Sequence, residues 1–292
     1  MKSIYAVISL LVALSLAGCA ATNKMFHPGA AKNIDGSIPA YDSSSTSVAL
    51  LSDRKTIQSW SDVMEARARL SKSPKQADFL ASQKTEWIDR YTDFSGLDSF
   101  KRAELETAYR DAMANVMLEQ ALALDDTLFA VRGNIRFGEY DLGKKAYPIV
   151  GLSIDNGINS AFDPVSKRLT LSGGFNRKKS TIALNGSILS HVRVSDTERA
   201  KKLKADWYRE SQPFVIISEF VDVANFGEPQ IFFNGLCKVI KAPNYGANLV
   251  LKINKDRSTD ANLDEACTLA NRLLNGQVNV AHPNLNFSRN DL

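Results

Sequence analysis

The chain has 292 residues, 44% of them hydrophobic and 9% aromatic, which are the proportions of an ordinary globular protein. Its 36 basic and 32 acidic residues leave a formal charge of only +4. So near-neutral a balance argues against a nucleic-acid partner, which calls for a clustered basic face.

The first element is a leader. Lys2 supplies a positive charge, and Ile4 to Leu16 is an apolar run broken only by Ser9 and Ser15. A membrane-spanning helix needs about 20 apolar residues, so this run is too short to cross a bilayer. It has the length of a signal-peptide core. Ala17 and Gly18 follow, and then Cys19. Small side chains let a backbone enter a peptidase cleft, and the thiol is the side chain that readily makes a thioether. Leu16-Ala17-Gly18-Cys19 resembles the lipobox of bacterial lipoproteins. The resemblance covers only the leader. It implies that residues 1–18 are a signal peptide, cleaved between Gly18 and Cys19. It also implies thioether lipidation of Cys19 and acylation of the new amino terminus. At about 0.8 kcal/mol per buried CH₂, two acyl chains suffice for stable anchoring. Ala20 stands where Asp would otherwise be, which resembles lipoproteins sorted to the outer membrane in enteric-type bacteria. The expected partners are therefore the membrane, through the lipid on Cys19, and an envelope protein.

Residues 19–52 read as anchor and tether. They hold Pro28, Gly29, Gly36, Pro39 and the run Ser43-Ser44-Ser45-Thr46-Ser47, with no sustained apolar period. Such composition buries too little surface to offset the entropy of ordering. A flexible linker of this length spans about 30 Å root-mean-square.

Residues 53–126 read as helical. Ser59-x-x-Asp62 has the form of a capping box, and Ser73-Pro74 that of an N-cap followed by proline at the first helical position. Ala77, Leu80, Trp87, Ile88 and Tyr91 fall at helical spacing. Asp93 to Gly96 breaks the pattern. A further helix is expected from Leu97 to Leu124, with Leu105, Tyr109, Ala112, Met113 and Val116 on one face and Lys101, Glu104, Arg110 and Asp111 opposite.

From residue 127 to 280 the period changes to 2, with two helices interposed. Ile135 and Phe137 alternate with Asn134 and Arg136. Thr181 to Val194 reads as one half-buried strand, with Leu189 out of phase. Leu169 and Leu171 are expected to pair with it as a hairpin across a basic loop. Ser195-x-x-Glu198 is expected to start a short helix ending near Asp206. Phe214 to Val223 reads as a central strand. Ile231 to Ile240 and Leu249 to Ile253 follow, divided by the turn Pro243-Asn244-Tyr245-Gly246. A last helix carries Leu263, Ala266, Cys267, Ala270, Leu273 and Leu274 on one stripe and ends at Asn275-Gly276. The tail, 281–292, reads as loose. The fold class is α+β, a helical N-terminal segment packed on a mainly antiparallel sheet. With Cys19 lipidated, Cys237 and Cys267 remain. Both face inward, either as a disulfide or as two buried thiols.

Chemistry is sparse. His27, His191 and His282 lie far apart, and His191, on the polar side of a strand, is the one candidate base. No Gly-x-Ser-x-Gly elbow or Ser-x-x-Lys motif supplies a nucleophile. The loop from Gly174 to Ser180 lacks the second glycine of a phosphate loop and leads into a strand rather than a helix. Asp155-Asn156-Gly157 with Asp163 lacks the closing Glu of a calcium loop. Glu139 and Asp141 do not make an acid pair. Lys201, Lys202 and Lys204 suit an anionic surface but share their helix with Glu198 and Asp206, as on a solvated face. Trp207-Tyr208 is either a core pair or an exposed patch. No cofactor or metal site is expected. The leading reading is a non-enzymatic interaction or assembly module. The alternatives are an envelope-polymer hydrolase, which needs carboxylates or His191 converging in a cleft, and a small-ligand or peptidoglycan binder, which needs a concave aromatic pocket.

Overall fold

A computed structural model describes residues 47–72, 75, 91, 96–124, 127–155, 158–163, 168–173, 180–185, 191–224, 229–253, 260–278, 280–283 and 285. The lipobox with Cys19 and Gly18, His27, the Ser73-Pro74 start and the 174–179 loop lie outside them. The fold is α+β, with helices and one large mixed sheet. The described residues divide into two compact units, one within Ala40–Glu65 and Ala123–Asn284, the other within Ala66–Leu122 together with Leu285.

The first unit holds the sheet. Its strands are β1 (Ser47–Leu50), β2 (Thr127–Phe137), β3 (Ala146–Ile154), β4 (Asn159–Asp163), β5 (Arg168–Gly173), β6 (Ser180–Asn185), β7 (His191–Arg193), β8 (Ser211–Ala224), β9 (Gln230–Ile240) and β10 (Leu249–Lys252). The path is β4-β5-β6-β9-β8-β2-β3-β7, with β1 added on β2 and β10 on β9. The β1–β2 and β6–β9 pairings are parallel and the others antiparallel. One edge of β2 is shared, its start taken by β1 and its end by β3. One edge of β9 is likewise divided between β6 and β10.

The connection from β3 to β4 forces the sheet to curl. Six inter-strand steps separate those strands along the path, about 29 Å if the sheet were flat. The chain from Ile154 to Asn159 can span at most about 18 Å. The ends of the path must therefore bend toward each other.

The helix α4 (Asp260–Leu274) covers one face. Leu263, Ala266, Cys267, Ala270 and Leu273 form the predicted stripe, and they share one buried cluster with Val215 and Ile217 of β8 and Cys237 and Val239 of β9. The helix closes as the Asn275-Gly276 signal predicts. Gly276 takes φ +70°, the Gly276 N–H donates to Leu273 O, and the Gln277 N–H donates to Arg272 O. On the opposite face of the sheet Phe129 meets Phe233 and Trp60, the latter edge-on at 5.2 Å. Near the end of β2, Phe137 stacks on Trp207 at 4.1 Å, and Tyr147 meets the same indole edge-on.

Helix α1 (Arg54–Lys72) starts earlier than the Ser59 capping box predicts, and its cap is Asp53. The Asp53 carboxylate accepts the Thr56 N–H at 2.8 Å and the Thr56 hydroxyl at 3.0 Å. Partial burial pushes this carboxyl up, but the hydrogen bonds from Thr56, Ser52 and Lys55 together outweigh it and hold its pKa below the usual value. Asp53→Ala should therefore destabilise by about 1 kcal/mol in urea unfolding near neutral pH. A carboxyl with a depressed folded pKa stabilises above its unfolded pKa, and that stabilisation is lost as pH falls. The gap between variant and wild type should accordingly narrow in acid.

Several expectations need correction. The tether was expected to reach residue 52, but Ser47–Leu50 is a strand and Val48 to Leu51 are buried. The short apolar run there pairs with β2 instead of staying solvated. Thr181 to Val194 is not one strand. β6 pairs with β5 and β9, while β7 pairs with β3 at the far end of the path. Leu189, out of phase, and Gly186 lie outside the described residues. Helix α3 (Thr197–Trp207) is capped by Asp196, not Ser195, since its carboxylate accepts the Glu198 and Arg199 N–H groups. The tail is not loose at its start, where the Ala281 N–H donates to Val48 O, and Leu285 is buried.

In the second unit, α2 (Ser99–Ala123) follows Asp98, whose carboxylate accepts the Phe100 and Lys101 N–H groups. Its buried residues are Met113, Ala114, Met117, Leu118 and Ala121. Among the described side chains that stripe shares Met113 with the predicted one, and Tyr109 lies outside them. Leu105, Ala112 and Val116 are half-buried.

Candidate functional site

The expected chemistry does not assemble among the described residues. His191 is half-buried on β7, in register with Pro148, and His282 is exposed beyond the Ala281 bridge. No group of three or more His, Cys, Asp or Glu among the described residues is arranged to hold a metal ion. Asp155 pairs with Arg132 at 2.6 Å. Asp141 caps the β2–β3 turn by accepting the Lys144 N–H, which with the nearby ammonium of Lys144 holds the Asp141 carboxyl below its usual pKa. No described helix is long and apolar enough to cross a membrane.

Cys237 and Cys267 are joined in a disulfide, with Cα atoms 5.3 Å apart. It clamps α4 to the central strand β9. Beside it lies a residue that the sequence did not single out. Lys238 is 0% exposed, and its ammonium nitrogen has no hydrogen-bond partner among the described residues. Its register partners are Ile216 on β8 and Leu251 on β10. Burial alone lowers its pKa from 10.5 to about 8.

The most developed surface surrounds α3. Trp207 and Tyr208 divide the expected roles, the indole buried and the phenol 41% exposed. The Trp207 Nε1–H donates to Lys241 O at 3.2 Å. The buried Asp206 carboxylate accepts the Asn244 N–H, and Gln212 Nε2 donates to Asp206 O at 2.6 Å. These bonds fix the 3-10 turn Pro243–Tyr245 beside the helix. Two cations lie over the Tyr208 ring, Lys204 at 5.4 Å and Arg209 at 4.8 Å from its centroid. Arg199 lies over Tyr245 at 5.7 Å. On the other side, Tyr147 Oη donates to Ala200 O at 2.5 Å and Tyr140 Oη to Val194 O at 2.7 Å. The β2–β3 turn is thereby joined to the start of α3. Among the described residues of this surface no nucleophile is poised against a base.

The chain matches no family model, no curated protein and no solved structure.

Proposed function

We propose that the protein is a lipid-anchored envelope lipoprotein of the outer membrane, whose periplasmic body serves as a non-enzymatic interaction or assembly module. The observation that carries this reading is the apolar leader ending in Leu16-Ala17-Gly18-Cys19. A disulfide within the body suits an oxidising compartment such as the periplasm. In this reading the helical segment packs on the sheet, and the body stands off the bilayer on the residues after Cys19 to meet an envelope protein.

The test is metabolic labelling with an alkyne fatty acid, followed by in-cell crosslinking and mass spectrometry. The wild-type chain should take up label, and Cys19→Ser should abolish it. A near-stoichiometric partner should crosslink to the wild type and be lost in Cys19→Ser while the body stays folded. An unlabelled wild-type chain overturns the anchor. A labelled chain with no partner above background overturns the assembly role and leaves the anchor standing.

A further inference from the structure

Two described non-glycine residues hold a left-handed backbone, Lys145 at φ 49° and Arg209 at φ 64°. Such conformations are uncommon outside glycine, and where they persist the surrounding structure imposes them. Both residues are cations, and each lies within three positions in sequence of a large exposed side chain. Leu142, in the turn that ends at Lys145, is 74% exposed. Tyr208 precedes Arg209. The two positions mark opposite ends of α3, since the Val194 N–H donates to Lys145 O just before the helix and Arg209 follows its last residue, Trp207, by two.

The charge balance of this region is one-sided. Asp141, Asp196 and Glu198 pair with Lys144, Arg199 and Lys201. Lys145, Arg193, Lys202, Lys204, Arg209 and Lys241 are all exposed and have no carboxylate partner among the described residues, against the exposed acids Glu139 and Glu210. A soluble polyanion would be met by the cations alone. An exposed leucine and tyrosine set among cations match a bilayer interface, where a phenol sits at headgroup depth, an aliphatic tip enters the acyl boundary and cations meet phosphate.

We propose that the α3 surface and the β2–β3 turn dock on the anionic headgroups of a phospholipid bilayer, with Leu142 and Tyr208 entering the interface. The docking surface does not require the lipid on Cys19, so its test is separate from that of the anchor. The experiment uses the full chain carrying Cys19→Ser, with vesicles of phosphatidylcholine alone or mixed with phosphatidylglycerol. The leader, with Lys2 and the amino terminus, has a headgroup preference of its own, and it is shared by every variant, so the difference between parent and triple variant reads the α3 surface. Each cation near an anionic surface strengthens binding about fivefold at low salt. Partition onto the mixed vesicles should exceed that onto phosphatidylcholine by about tenfold or more. Lys202→Glu/Lys204→Glu/Arg209→Glu should remove that preference, and Leu142→Ser should weaken binding severalfold. These side chains are exposed, so the circular dichroism and melting of the variants should match the parent. Equal partition onto the two vesicles overturns the proposal, as does a triple variant that keeps the preference. Competition by inorganic phosphate at low concentration would reveal a free-anion site and also overturn it, as would binding to peptidoglycan sacculi without binding to vesicles.

Discussion

Cys237→Ala/Cys267→Ala should unfold with a stability about 3.5 kcal/mol below that of the oxidised protein. The bond closes a loop between positions 30 apart, and the chain-entropy cost it removes from the unfolded state grows with the logarithm of that length. The loop contains β10 and the start of α4, so the crosslink holds a helix against the strand that it covers. Without the bond, the helix is retained by the apolar stripe from Leu263 to Leu273, the Lys252–Asp264 ion pair and the hydrogen bond from Asn248 to Asn271. Both cysteines are buried, which predicts that a reductant reaches the bond only when the chain opens. Urea denaturation of the oxidised wild type and the double variant measures the difference. Overlapping transitions would mean that those contacts alone hold α4.

The parts of the fold that were legible are those in which one local period meets one partner. The α4 stripe could be read because a helix on a sheet buries a single face, and Leu263, Ala266, Cys267, Ala270 and Leu273 repeat at that spacing. β8 could be read as central because its apolar residues occupy both sides. The pairing of Leu169 and Leu171 with β6 was legible because antiparallel neighbours close in sequence pair by default. Partners distant in sequence leave no such mark. Neither the parallel contact of β1 with β2 nor that of β6 with β9 follows from alternation, since a period of 2 states which side a residue faces and not which strand lies beside it. The same degeneracy joins β6 and β7 into one apparent strand, because Val192 and Val194 resume the alternation of Ile182 and Leu184.

The surface around α3 was only half legible. Its charges are visible in the sequence, but the balance between paired and unpaired ones is not. Lys201 looks like its neighbour Lys202 until the structure places Glu198 against it at 2.8 Å. The division between Trp207 and Tyr208 also depends on tertiary structure. A helix end offers one residue to the core, and it is the indole that reaches Phe137 and Lys241. The left-handed cations Lys145 and Arg209 had no sequence signal, because glycine is the residue expected at such positions.

Lys238→Met should stabilise the protein near neutral pH, and the gain should vanish in base. Lys238 lies in the run Ile231 to Ile240, where alternation turns it away from Cys237 and α4 to the other face of the sheet. That face is also covered, and among the described residues the amine has no hydrogen-bond partner. A buried ammonium without a partner is costly, and burial accordingly lowers the pKa from 10.5 to about 8. The sign follows from proton binding. Between about pH 8 and 10.5 the unfolded chain holds the proton and the folded chain does not, so stability rises with pH across that window. Below it both states are charged, and the folded state carries the full penalty, roughly 3 kcal/mol at 1.36 kcal/mol per unit. Methionine has similar length, no charge and a flexible thioether that fills the same space. Urea unfolding of wild type and variant should therefore differ by roughly 3 kcal/mol at pH 7, with the variant more stable, and the two should converge as pH rises through the window. Comparing the two chains at each pH cancels the other lysines and tyrosines, including Tyr147, whose own pKa is raised by burial and by Tyr140. A variant less stable than wild type at pH 7 would mean that the amine has a counter-charge in solution. A difference that stays constant with pH would mean that Lys238 keeps the same proton affinity in the folded and unfolded chain.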